Sequence, residues 1–163
     1  MKTVNGLPAH VLLVHAIVVL LPLAALLLAL TALWPAARRR LAGPNLVLSL
    51  LVVVLVPITT NAGEWLEHRL TPSPLIGKHT ALGDTAIYAA VAVAVLALLV
   101  WWRQREGAGR TPVKRVFLAP ASGGVTATLT VVALLVAGGA VYDVIRIGDS
   151  GAKASWSDWA AQP

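Results

Sequence analysis

The sequence has 163 residues, 58% of them hydrophobic and only 12% charged, about half the charged fraction of a soluble domain. The formal net charge is +6, yet the basic residues sit in short segments between apolar runs, which argues against a nucleic-acid surface and for topology signals. The chain has no cysteine, which removes disulfides, thiolate metal sites, iron–sulfur clusters and covalent c-type haem attachment.

The first apolar run covers residues 11–34. At about 1.5 Å per residue it exceeds the roughly 30 Å of bilayer hydrocarbon. Pro22 predicts a kink, and the run is too long for a signal-peptide core, with its basic triplet Arg38–Arg40 after it rather than before it. A second span is predicted over residues 46–66, beginning after Gly43-Pro44 and weakened by Pro57, Thr59, Thr60 and Asn61. The third covers residues 79–102 and the fourth residues 124–146, where Gly138, Gly139 and Ala140 suit close helix packing. The remainder, residues 147–163, reads as a short polar tail lying on the surface or disordered, with Trp156 and Trp159 as interfacial anchors. The expected fold class is therefore all-α, a polytopic membrane protein whose single domain, residues 1–163, is a four-transmembrane-helix bundle.

Orientation follows from the cations. Arg38, Arg39 and Arg40 fill the first connection, and Arg103, Arg105, Arg110, Lys114 and Arg115 the third. Those eight of the thirteen Lys and Arg residues share one side, which the positive-inside rule makes cytoplasmic. The expected location is the cytoplasmic membrane, multi-pass, with both termini extracytoplasmic. Trp34, Trp101 and Trp102 then fall at the inner interface.

Outside, the segment Asn61–Asp84 carries His68, His79, Glu64, Glu67 and Asp84, while His10 and His15 open the first run. Counted from the inner helix ends, His15, Glu64, Asp84 and Asp143 lie at one level; His10, His68, His79 and Arg146 lie about one turn further out. Ionisable groups within a span cost roughly 2.5–3.5 kcal/mol each on insertion scales, so they tend to face the bundle interior and mark function. His15, embedded in apolar sequence, is the sharpest candidate, with packing as the alternative to function. His79 opens a helix, whereas His10 and His68 suit a solvated surface. Glu64 and His68 at i, i+4 are a ligand pair or a helix-surface contact. Asp143 and Arg146 at i, i+3 suit an ion pair closing the helix end. Asp84 caps its helix or orients a ligating imidazole. There is no P-loop, GxGxxG, HExxH or nucleophile elbow, so hydrolysis has no support and the chain is at most a redox protein.

The stretches GLPAHVLLVHAIVVLLPLAAL, PITTNAGEWLEHR, SPLIGKHTALGD and VIRIGDSGAKASWSD resemble actinobacterial members of the bacterial membrane family known as domain of unknown function 2231. The resemblance covers nearly the whole chain, and the positions matching its histidine pattern are His10, His15 and His79. Family members commonly carry HP-x-x-HP near the start, from which this chain departs with Ala9 before His10 and Val11 after it. In helix number and histidine placement the family is similar to transmembrane b-type haem cytochromes, an analogy of fold.

Three functions fit this pattern. One is haem b ligation with electron transfer to other membrane redox proteins, using His15 and His79, which differ by about 4.5 Å in depth, with His10 and His68 as further candidates. Another is a Zn, Cu or Fe ion held by imidazole with Glu64, Asp84 and Asp143 as ligands or their supports. The last is a cofactor-free accessory subunit. The lipid bilayer is the one partner common to all three, and nucleic acid to none.

Overall fold

The computed structural model describes residues 3, 4, 6–110, 118 and 123–156. A small ribbon, β1 (Thr3–Val4) and β2 (Leu7–Pro8), turns at Gly6, whose φ of 81° lies in the left-handed region open to glycine. It leads into α1 (Ala9–Leu33), α2 (Pro35–Glu67), the short α3 (Pro74–Gly83), α4 (Ala86–Gly107) and α5 (Gly123–Trp156). Four segments, with α3 and α4 counted together, are long and apolar enough to cross a membrane.

The four long helices close into a ring in which α1 packs on α2 and α5, and α4 on α2 and α5. Leu21, Leu28, Val52, Val56 and Val93 fill its centre. Small side chains let the backbones approach, as van der Waals packing in lipid requires: Ala24 and Ala25 on α1, Ala90 on α4, and Ala133, Ala137 and Ala140 on α5 are all buried. The close-packing expectation at Gly138 and Gly139 is corrected, because both are exposed and a methyl added to either meets nothing within 4 Å. Large apolar side chains such as Leu26, Val47 and Leu135 point outward, the reverse of a soluble bundle and the expected surface toward lipid.

Two helix ends differ from their predicted positions. The second span begins at Pro35 and runs through Gly43-Pro44 without a break. Proline at the first helical position has its φ preset and lacks only an N–H that would be unpaired anyway. Trp34, in extended conformation, is the whole link between α1 and α2. Arg38 then reaches back, its Nε donating to the Thr31 carbonyl at 2.8 Å and its Nη2 to the Ala32 carbonyl at 2.6 Å, which satisfies orphaned acceptors at the end of α1. Lower down, buried Asn45 ties α2 to α1. With its amide oriented to suit its surroundings, it donates to the Ala24 carbonyl at 3.1 Å and accepts from the Leu28 N–H at 3.2 Å.

The second difference is at the chain's other end. The polar stretch from Gly148 to Trp156 is no loose tail but the last part of α5, because Ile147 and Ser150 continue its inward face and α3 packs against it. Trp156 is exposed on that helix. Residues 157–163, including Trp159, lie outside the described residues, as do Lys114 and Arg115 of the third connection.

The third span is broken once, between α3 and α4. Ser73 caps α3, its hydroxyl accepting from the Leu75 N–H at 3.3 Å, with Pro74 at the first helical position. At the break the Thr85 hydroxyl lies 2.7 Å from the Leu82 carbonyl and 2.8 and 3.0 Å from the two carboxylate oxygens of Asp143 on α5. A hydroxyl proton offered to a carboxylate is a charge-assisted bond, so the corner is pinned to the opposite helix.

Candidate functional site

His10 stands at the start of α1 and His79 in the middle of α3, both partly buried. Their rings meet edge to face, centroids 6.3 Å apart and planes at 72°. Each imidazole is oriented from behind. His10 Nδ1 lies 3.0 Å from the Thr59 carbonyl. A carbonyl only accepts, so Nδ1 carries a proton, and in the neutral imidazole Nε2 then keeps a lone pair. His79 Nδ1 lies 3.0 Å from Ser150 Oγ, which itself donates to the Ile147 carbonyl at 2.7 Å. With its one proton committed there, Ser150 accepts from His79, and this Nε2 too keeps its lone pair.

Two glycines make room for the rings. A methyl at Gly63 on α2 would come within 2.9 Å of His10 Cε1 and Nδ1, and one at Gly151 on α5 within 2.9 Å of His79 Cε1. The imidazoles thus rest directly on backbone from α2 and α5, and neither seat tolerates a side chain without movement.

Beneath the pair lies a cavity of about 60 Å³. Val14 and Ile17 of α1, Val56 of α2 and Val144 and Ile147 of α5 wall it, and Val18, 44% exposed, marks its mouth on the outside of the bundle. Its volume is room for a water or two.

The other candidates do not join this pair. His15 is exposed, and its Nδ1 contacts the Val11 carbonyl of its own helix at 2.5 Å. His68 is exposed at the end of α2, bonded through Nδ1 to the Glu64 carbonyl at 2.8 Å, while the Glu64 carboxylate faces outward. Asp84 is exposed at the C-terminus of α3. Asp143 is engaged by Thr85, and the expected ion pair with Arg146 gives way to an Arg146 guanidinium 5.7 Å above the Tyr142 ring. Among the described residues no group of three or more His, Asp or Glu stands close enough to hold a metal ion. Ser150, Gly63, Gly151 and Thr59 are not among the candidate residues that the sequence singles out. The spacing Val144, Ile147, Ser150, Gly151 was the available signal, since it continues one helical face past the apparent end of the span.

Four apolar helices with an outward apolar surface define a multi-pass α-helical membrane protein embedded in a lipid bilayer. More particularly, the model of a family of predicted membrane proteins, DUF2231, matches residues 6–161, and the chain belongs to that family. No curated protein and no solved structure matches it.

Proposed function

We propose that the chain is a b-type haem electron-transfer protein in which His10 and His79 would hold the haem iron. One observation carries this reading: two imidazoles, each fixed by an Nδ1–H bond, hold their ring centroids 6.3 Å apart over an apolar cavity. Two imidazoles at this separation would be near enough to hold one metal ion through their Nε2 atoms, at bonds of about 2.0 Å. The Nδ1–H bonds are the usual means of fixing a ligating histidine's tautomer and raising its basicity.

The residues fit the group in chemistry. The cavity of about 60 Å³ is too small for a macrocycle, so a haem would enter only with the helices around it moved apart. A haem supplies a one-electron couple whose potential follows its axial ligands and the dielectric around it. The protein's part is to orient both Nε2 lone pairs, to exclude water with Val14, Ile17, Val56 and Val144, and to keep both rings from turning through Gly63 and Gly151.

The positive-inside rule supports an extracytoplasmic position for this pair in the cytoplasmic membrane, since Arg38–Arg40, Arg103 and Arg105 occupy the opposite helix ends. Electron exchange with other membrane redox proteins would then take place at the outer leaflet.

A bare Zn, Cu or Fe ion on the same two nitrogens is the second reading, favoured by the small cavity volume and weakened by the lack of a third protein ligand among the described residues. The test is haem and metal content of detergent-purified wild type, H10A and H79A, expressed with ample haem. Haem near one per chain in wild type and a loss of more than about tenfold in each variant supports the haem reading. A stoichiometric metal without haem supports the second. Neither, in well-folded protein, leaves the accessory scaffold.

A further inference from the structure

We propose that Arg38 and Arg103, at the end of the bundle opposite the histidines, bind the phosphate of an anionic phospholipid. Both line one recess between the helix ends, with Ala32 of α1, Val100 of α4 and Leu129 and Thr130 of α5. Two cations converge there, on different helices, and among the described residues neither has a carboxylate partner. Among the described residues the ion pair is Lys153–Asp149, at the other end of α5. Glu106, nearest in sequence, accepts instead from Trp102 Nε1 at 2.8 Å and the Leu118 N–H at 2.7 Å.

Arg38 has a structural duty, since two of its N–H groups close the end of α1. Arg103 has less, one bond of 2.7 Å to Thr126 Oγ1. Two guanidiniums carry about ten N–H groups, and these bonds use three of them. The rest form a half-buried donor set with doubled positive charge, the arrangement that favours bidentate phosphate recognition by arginine. The recess itself, about 10 Å³, admits one small atom group, so the phosphate binds at its mouth with an oxygen directed inward.

A lipid rather than a free anion is indicated by the surroundings. Leu33, the last residue of α1, and Trp34, the link to α2, are both exposed beside the recess, and exposed tryptophan at a helix end marks headgroup depth. Arg39 and Arg40 are exposed next to it and add to the attraction of an anionic leaflet, which is about 1 kcal/mol per basic residue near such a surface.

The experiment is thermal unfolding of the full chain in neutral detergent with phosphatidylglycerol, phosphatidylcholine or sodium phosphate added at matched ionic strength. Phosphatidylglycerol at about a hundredfold over its dissociation constant should raise the midpoint by roughly 5 °C or more. Phosphatidylcholine and sodium phosphate should not. In R103Q at least half of that rise should disappear, while R103K, which keeps the charge but not the fork, should retain an intermediate part. R38Q risks losing the α1 cap, so Arg103 carries the test. An equal rise with sodium phosphate overturns the lipid assignment, and an undiminished lipid effect in R103Q overturns the site.

Discussion

His10 and His79 face each other edge to face over an apolar cavity, each held from behind by an acceptor on a different helix, Thr59 on α2 and Ser150 on α5. Four helices therefore meet at two side chains. The pairing gives α3, a ten-residue helix with no buried residue of its own, a specific place in the bundle.

If that pair is the binding site, the four histidines are not equivalent. H10A and H79A should each abolish the bound chromophore, whereas H15A and H68A should leave it within about twofold, because their rings bond only to carbonyls of their own helix. Absorbance per protein in the four purified variants checks this.

The glycine seats predict a steric series. G63A and G151A each place a methyl 2.9 Å from an imidazole carbon, and overpacking of this kind costs about 1–3 kcal/mol. G138A, with open space around it, should be neutral or stabilising by a few tenths up to about 1 kcal/mol, as alanine is the better helix former. Melting in detergent ranks the three. Cofactor occupancy should fall in the first two alone.

Removing the acceptor behind His79 separates orientation from ligation. S150A leaves the Nδ1–H of His79 without its partner and should weaken occupancy about 10- to 100-fold, the usual effect of losing such a support. Titration of the purified apoprotein with haem measures it. S150T, which keeps a hydroxyl, should recover part of the loss.

The α3–α4 corner depends on the bond from Thr85 to Asp143. T85V and D143N should each lower stability by about 1–3 kcal/mol, D143N less because an amide oxygen still accepts. A double-mutant cycle should show coupling of at least about 0.5 kcal/mol, which a pair of unrelated surface groups would not.

Much of this architecture is legible in the residues. Four apolar runs, their lengths and the two arginine-rich turns define the bundle and its two ends. What escapes the sequence is azimuth. Depth can be counted along a helix, but α1 is apolar on every side, so nothing in its pattern tells which histidine faces inward. Five residues turn an α-helix by about 140°, enough to place His10 against His79 while His15 points outward. Helix ends escape for a related reason. Pro35 and Pro44 look like punctuation, yet one begins a helix and the other is carried inside it. Gly148 to Ser150 looks like a tail, yet it backs the site because α3 folds over it.

A reduced-minus-oxidised visible spectrum of the detergent-purified full chain, expressed with ample haem, tests haem binding by His10 and His79. Sharp α and Soret bands at close to one haem per chain are expected, with both bands lost in H10A and H79A and kept in H15A. A featureless spectrum from folded wild-type protein, or bands that survive H10A and vanish in H15A, would contradict it.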